Sequence, residues 1–222
     1  MGSVRGGFPG PASVPEPAPI VFVVDDDISV RESLEALVRH EGWRPEVFES
    51  AQRFLTEPLP SGPCCLILDV DLPDLSGLDL QQRVAADHAS MPIIFLTGYG
   101  DIPSTVRAMK AGAAEFLTKP FDDEALLQAV RSAIERSRAI LEQEAELKLL
   151  KERFETLSKR EREVMALVVK GMLNKQVGGE LGISEITVKA HRGNVMEKMK
   201  AKSFAGLVKM ASSLGIAPAW PE

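Results

Sequence analysis

Cys65-Leu66-Ile67-Leu68-Asp69-Val70-Asp71-Leu72-Pro73-Asp74-Leu75-Ser76-Gly77 is the stretch on which the fold of this chain turns. A short apolar run bounded by turn residues reads as a buried strand. The run stops at a carboxylate, and Pro73, Ser76 and Gly77 then turn the chain away. Asp69 therefore stands at the mouth of a buried strand, a suitable place for a nucleophile. Three other runs end in the same manner. Ile20-Val21-Phe22-Val23-Val24 leads into Asp25, Asp26 and Asp27, Ile93-Ile94-Phe95-Leu96 ends at Thr97, and Phe116-Leu117 is followed by Thr118-Lys119-Pro120. Acids, a hydroxyl and a lysine at four strand ends are the equipment for holding a divalent metal and accepting a phosphoryl group.

Outward from these runs, strands are expected at 20–24, 46–48, 65–68, 93–96 and 115–117. Helices are expected from about Ser29, with Val30, Leu34, Leu37 and Val38 at helical spacing, and over 77–86, 103–111 and 123–136. This alternation implies an α/β domain with a doubly wound five-stranded parallel sheet, helices on both faces and ligands beyond the carboxyl ends of the strands. From Asp123 to about Leu157 a helical pattern runs without Gly or Pro, its apolar residues including Val130, Ile134, Ile140, Leu147, Leu150 and Phe154. It reads equally as a long helical linker or a dimerising coiled coil. Ser158-Lys159-Arg160-Glu161 fits a capping box and opens an all-α segment. Its four helices are expected to run to Lys170, over 174–181, from Ser184 to about Lys200, and over 203–213. The organisation is then a disordered Pro- and Gly-rich tail at 1–19, an α/β domain at 20–136, a helical linker at 137–157 and a helical domain at 158–222.

Composition supports two domains with different partners. The net charge of −6 over 222 residues hides an asymmetry. Residues 158–222 carry 11 Lys+Arg against 6 Asp+Glu, whereas 1–157 carry 15 against 26. A basic helical domain behind an acidic one faces nucleic acid. No run approaches the ~20 apolar residues of a membrane span, and the N-terminus lacks a signal-peptide layout. A cytoplasmic protein with no membrane partner is expected. The only cysteines, Cys64 and Cys65, are neighbours and read as small core residues.

At the strand ends, Asp26 and Asp69, with Asp25 and a backbone carbonyl near Asp71, offer Mg2+ its hard oxygen ligands. Asp69 attacks phosphorus, Lys119 pairs with the phosphoryl oxygens, and Thr97 hydrogen-bonds one of them. Residues 20–136 resemble the receiver domain of bacterial two-component response regulators. The resemblance rests on Val23-Val24-Asp25-Asp26-Asp27, Asp69 with Pro73 and Gly77, Thr97-Gly98, Ala111-Gly112-Ala113 and Lys119-Pro120-Phe121. It implies Asp69 as phosphoacceptor, Asp25 and Asp26 as metal acids, Lys119 as the phosphoryl lysine, and Thr97 with Phe116 as the pair that moves on activation. Phe116 lacks a tyrosine hydroxyl, so its switching rests on rotamer and packing. Leu72 stands where that family commonly has Met, a volume-conserving change. Asp69-Val70-Asp71 also looks like the nucleophile motif of haloacid-dehalogenase-type phosphatases. Pro73 occupies the place of their Thr or Val, and the acid cluster precedes rather than follows the nucleophile.

Residues 158–213 resemble the four-helix DNA-binding domain of the LuxR/NarL/FixJ class. The matching text is Leu157-Ser158-Lys159-Arg160-Glu161-Arg162-Glu163-Val164, Asn174-Lys175-Gln176-Val177, Leu181-Gly182-Ile183-Ser184, and Thr187 through Met196. A receiver followed by this module is similar to a FixJ-type regulator. The resemblance implies a phosphorylation-dependent transcription factor, a sensor histidine kinase, double-stranded promoter DNA, a homodimer when phosphorylated and room for RNA polymerase as a partner. It implies no enzyme beyond the chain's part in its own aspartyl phosphorylation and dephosphorylation. Helical geometry places Val188, Val195 and Met199 on one face and Lys189, Ala190 and Gly193 opposite, where small residues let a helix sit deep in a major groove. His191, Arg192, Asn194 and Lys198 flank that face, Ser184 and Thr187 begin it, and Lys175 of the preceding helix reaches the DNA backbone. Gly178-Gly179 departs from the Ala usual at the first position and is expected to soften its helix. A phosphate sink that ignores DNA and a constitutive DNA binder are the rival readings.

Overall fold

The computed structural model describes residues 17–58, 60–88, 90–98 and 102–216, and the chain divides into two units, after Leu141. Residues 1–16 of the expected tail lie outside the described residues. The first unit runs β1 (Ile20–Val24), α1 (Ile28–His40), β2 (Arg44–Phe48), α2 (Ala51–Leu55), β3 (Cys64–Asp69), α3 (Gly77–Asp87), β4 (Ile93–Thr97), α4 (Ile102–Lys110), β5 (Glu115–Thr118) and then α5 (Asp123–Glu155). All strand pairs are parallel, in the order β2-β1-β3-β4-β5.

The period of two along each strand sorts the core. Phe22, Val24, Leu66, Leu68 and Phe95 meet Phe54 of α2, Leu80 and Val84 of α3, and Ala108 of α4. On the other face Val21, Val23, Cys65, Ile67, Ile94 and Leu96 meet Leu34 and Val38 of α1 and Leu126, Val130 and Ile134 of α5. Each such aliphatic side chain stabilises the fold by about 1.5–3 kcal/mol on full burial. Both cysteines are free and buried, and burial pushes the Cys64 thiol up to about 11 and Cys65 higher still.

Three features were not expected from the chain. Strand β2 begins two residues early and contains Pro45, which an edge strand tolerates. Helix α2 has only Ala51 and Phe54 buried, and its N-terminus is capped from a distance. Besides Ser50, the Asp74 carboxylate accepts the N–H groups of Ala51 at 3.3 Å and Gln52 at 2.8 Å. Ser137, expected to open the linker, is fully buried in the first unit. Its Oγ accepts the Cys64 N–H at 3.1 Å and donates to the Ser90 carbonyl at 2.6 Å, which ties α5 to the foot of β3.

The second unit contains the last part of α5 with α6 (Lys159–Val168), α7 (Asn174–Leu181), α8 (Glu185–Lys198) and α9 (Phe204–Ser213). Val164, Met165, Val168, Val177, Val188, Val195, Met199 and Leu207 form its core. Leu150 and Phe154 of α5 pack on that core and Leu157 is buried in it, so this end of the apolar seam is used within the unit. The expected capping box at Ser158 and Glu161 is present.

Gly178 corrects the expectation of a soft helix. A Cβ on Gly178 would lie 2.7 Å from the Ile183 carbonyl oxygen, so the turn between α7 and α8 closes against this glycine. Gly179 faces open space. Gly178→Ala is therefore expected to destabilise the second unit by about 1–3 kcal/mol through overpacking. Gly179→Ala is expected to stabilise it by roughly 0.5–1 kcal/mol. Urea unfolding followed by hydrogen exchange of the α7 amides checks the opposite signs.

Candidate functional site

Sheet register assembles the site. Val24 of β1 pairs with Leu68 of β3, Leu68 with Phe95 of β4, and Phe95 with Phe116 of β5. Asp25 and Asp69 thus leave the sheet as neighbours, with Thr97 closing β4 and Lys119 following β5. Asp25 is 1% exposed and Asp69 7%, whereas Asp26 is exposed. One carboxylate oxygen from each of the three lies within 4.8 Å of the others.

Lys119 joins this cluster across the sheet. Its Nζ donates to Asp25 Oδ2 at 2.7 Å and to Asp69 Oδ2 at 2.8 Å. Burial pushes the Asp25 carboxyl upward, against the pull of the Lys119 hydrogen bond. Burial works against the Lys119 ammonium too, but its bonds to Asp25 and Asp69 outweigh it and hold the amine above its ordinary value. The ammonium thus offsets two buried carboxylates that would repel each other alone. All three acids supply hard oxygens, the donor chemistry a small divalent cation needs.

The neighbouring acids have separate duties. Asp27 caps α1, its carboxylate accepting the Ser29 N–H at 2.8 Å, and that bond lowers its pKa. Asp71 is exposed and meets the site through its backbone, its N–H donating to Asp69 Oδ1 at 3.2 Å. Gly77 is fixed by the same turn: a Cβ there would lie 2.4 Å from the Asp69 carbonyl oxygen. Thr97 is buried, and Phe116 is half-buried with its ring 6.0 Å from that of Phe95. Residues 99–101, between β4 and α4, lie outside the described residues.

Two residues here escaped the sequence reading. Arg31 Nη1 donates to the Asp25 carbonyl at 2.7 Å and the Asp26 carbonyl at 2.9 Å, clamping the acidic loop from α1. The buried Gln81 amide donates to the Ala108 carbonyl at 3.1 Å, linking α3 to α4. Arg31 lies close enough in sequence to be suspected. Gln81 carries no local signal.

In the second unit, Val188, Val195 and Met199 are buried while Lys189, Ala190, Gly193 and Asn194 are exposed on α8, as is Lys175 on α7. Ser184 caps α8, its Oγ accepting the Thr187 N–H at 3.1 Å and lying 2.8 Å from the Thr187 hydroxyl. Arg192 is half-buried; it donates to Asn174 Oδ1 at 3.3 Å and its guanidinium lies 4.8 Å from the centre of the Phe204 ring. His191 is half-buried, and its buried Nδ1 finds no hydrogen-bond partner among the described residues.

Lys198 departs from its expected place on the phosphate flank. Its Nζ donates to Glu161 Oε2 at 2.7 Å and reaches the Thr156 carbonyl at 3.4 Å, binding the end of α8 to the start of α6. Lys198 with the capping N–H of Ser158 holds the buried Glu161 carboxyl down at about 2. Because the folded value is depressed, the stabilisation is complete above the ordinary carboxylate value of about 4.3 and fades as pH falls through about 2. Between pH 4.5 and 2 the native second unit should thus lose more stability than the Glu161→Gln variant. Hydrogen exchange of α6 and α8 amides across that range checks it, and parallel acid profiles would remove the assignment.

The geometry has counterparts among known proteins. Residues 21–131 match the response regulator receiver domain, and residues 155–211 match the bacterial regulatory proteins of the luxR family. The chain is 54% identical over 197 residues to nodulation protein W of Bradyrhizobium diazoefficiens, covering 89% of this chain and 87% of that one. It is 45% identical over 206 residues to the transcriptional regulatory protein FixJ of Azorhizobium caulinodans, covering 93% and 97%. The solved structure of the response regulator StyR matches with a TM-score of 0.78 at 45% identity, over 88% of this chain and 98% of that one.

Proposed function

The chain belongs to the two-component transcriptional response regulators that join a receiver domain to a LuxR-type DNA-binding domain, and from that premise we propose that Asp69 is its phosphoacceptor. The observation that carries this is the buried Asp25–Lys119–Asp69 bridge at the strand ends. In the proposed transfer, an Asp69 carboxylate oxygen attacks the phosphorus of a phosphohistidine on the sensor kinase. The phosphorus–nitrogen bond breaks, a phosphorus–oxygen bond forms, and the imidazole takes up a proton. Asp25, Asp26 and Asp69 would hold Mg2+, with a carbonyl near Asp71 as a further ligand. When bound, Mg2+ supplies charge neutralisation to the phosphoryl oxygens.

Lys119 then exchanges a carboxylate partner for a phosphoryl oxygen, and the Thr97 hydroxyl binds another. Phe116 repacks against Phe95, and the β4–α5 face is altered. Two phosphorylated chains pair and bring two DNA-binding units to adjacent half-sites, which raises affinity through effective concentration. Lys175, Lys189, Ala190 and Gly193 form the groove-facing surface, and Ser184, Thr187, His191, Arg192 and Asn194 border it. The receiver extends past residue 136 to about Leu141, since Ser137 packs within the first unit, and the first helix of the DNA-binding domain opens at the Ser158 cap. With promoter DNA as partner, and RNA polymerase beside it, the chain acts in the cytoplasm. It has no enzymatic turnover beyond its own aspartyl phosphate.

Incubation with Mg2+ and acetyl phosphate should label the native chain and leave Asp69→Ala at background. Asp26→Asn should raise the Mg2+ concentration needed by at least tenfold. Label retained in Asp69→Ala would move the phosphoacceptor elsewhere. On duplex DNA, Lys175→Ala should lower the salt dependence of log K by about one unit of slope. Lys198→Met should leave that slope unchanged, because its charge is already paired with Glu161.

A further inference from the structure

Ile186 is 83% exposed, more than any other large apolar side chain among the described residues. It lies in the first turn of α8, directly between the exposed Glu185 and Thr187. A β-branched residue is only a middling helix former, and here it fills no core position and makes no cap. Folding therefore does not account for it.

Its direction does. At ~100° per residue, Ile186, Lys189, Ala190 and Gly193 occupy one stripe roughly 100° wide, with Ile186 near its centre. Val188 and Val195, both buried, lie on the opposite side. The stripe thus offers one cation for phosphate or a base edge, two small residues that allow close approach, and one branched apolar side chain. Glu197 continues the stripe a turn further on and is exposed. An acid at that point repels phosphate, so the docked stretch is the first two turns, where Ile186 sits. N-terminal residues of a recognition helix are those that meet base edges. Among major-groove edges the apolar group is the C5-methyl of thymine.

We propose that Ile186 reads DNA sequence, packing its side chain on the C5-methyl of a thymine at one position of each half-site. The inference rests on the DNA-binding reading above and adds a specificity determinant to it. Ile186 sets preference for one base, and Lys189 supplies affinity that tolerates sequence. Because Ile186 is so exposed, truncating it removes no packing and leaves the fold intact.

The test uses the full chain with Mg2+ and acetyl phosphate. Duplexes are enriched from a pool with a randomised core, and the recovered duplex is resynthesised with uracil replacing one thymine at a time. Uracil lacks only the methyl. Native protein should bind one substituted position per half-site about fourfold more weakly, the worth of roughly one buried methylene-sized group. Ile186→Ala should bind thymine and uracil equally at that position while keeping its salt dependence, and Ile186→Val should keep most of the discrimination. An identical uracil profile in native and Ile186→Ala proteins overturns the proposal, as does an enriched site with no thymine that responds. A pool that yields no enriched duplex overturns the DNA-binding reading itself, and this inference with it.

Discussion

Two carboxylates placed beside each other at the edge of an apolar sheet are a liability that one lysine resolves. Parallel register forces the arrangement, because strands β1 and β3 pair residue by residue up to Val24 and Leu68 and then deliver Asp25 and Asp69 to the same end. Both are nearly sealed from water. Unpaired, such charges cost several kcal/mol each, and one would take up a proton instead. Lys119 reaches both from the far end of the sheet, beyond β4 and β5. The strand-end chemistry therefore depends on the whole sheet being formed. A site built in this way is also poised: any anion that competes for Lys119, or any cation that joins the acids, changes the balance among groups already in contact.

The backbone around the acids is shaped to the same end. Arg31 takes up the carbonyls of Asp25 and Asp26, Asp27 caps α1, and the Asp71 N–H turns back to Asp69. Gly77 permits α3 to start against the Asp69 carbonyl, where any side chain would collide. These contacts fix the carboxylates without using their remaining oxygen lone pairs for the core. Asp74, one turn away, has a different duty altogether: its backbone hydrogen bonds hold its carboxyl low in spite of the cost of desolvation, and it secures α2.

How far the chain could be read follows from the range of the forces involved. Strand ends, the αβ alternation and the Ser158–Glu161 capping box are local patterns, and they were legible with the acids, Thr97 and Lys119 in place. Helix α2 was not: it is only five residues long, and beyond its local Ser50 cap its first N–H groups are taken by Asp74, more than twenty residues on. Gly178 was misread for a similar reason. A helical glycine looks like a loss of propensity until the carbonyl of Ile183 is seen to occupy the space of its Cβ. Lys198 shows the limit for charge: a surface position on a helical wheel says which way a lysine leaves the helix, not whether a buried glutamate waits for it.

That last pairing clarifies how helix α8 divides its work. Its C-terminal end is committed to structure, with Lys198 bound to Glu161 and Met199 in the core. Arg192, midway, is held by Asn174 and the Phe204 ring, which joins α8 to both α7 and α9. The side chains left without such ties cluster at the N-terminal end, where Ser184 and Thr187 satisfy the first turn and Ile186, Lys189 and Ala190 project outward. A helix anchored at its middle and far end, with an unencumbered leading end, can present that end to a partner without surrendering any contact that holds the fold. The positive end of the helix dipole lies there as well, which favours a polyanion over a neutral partner.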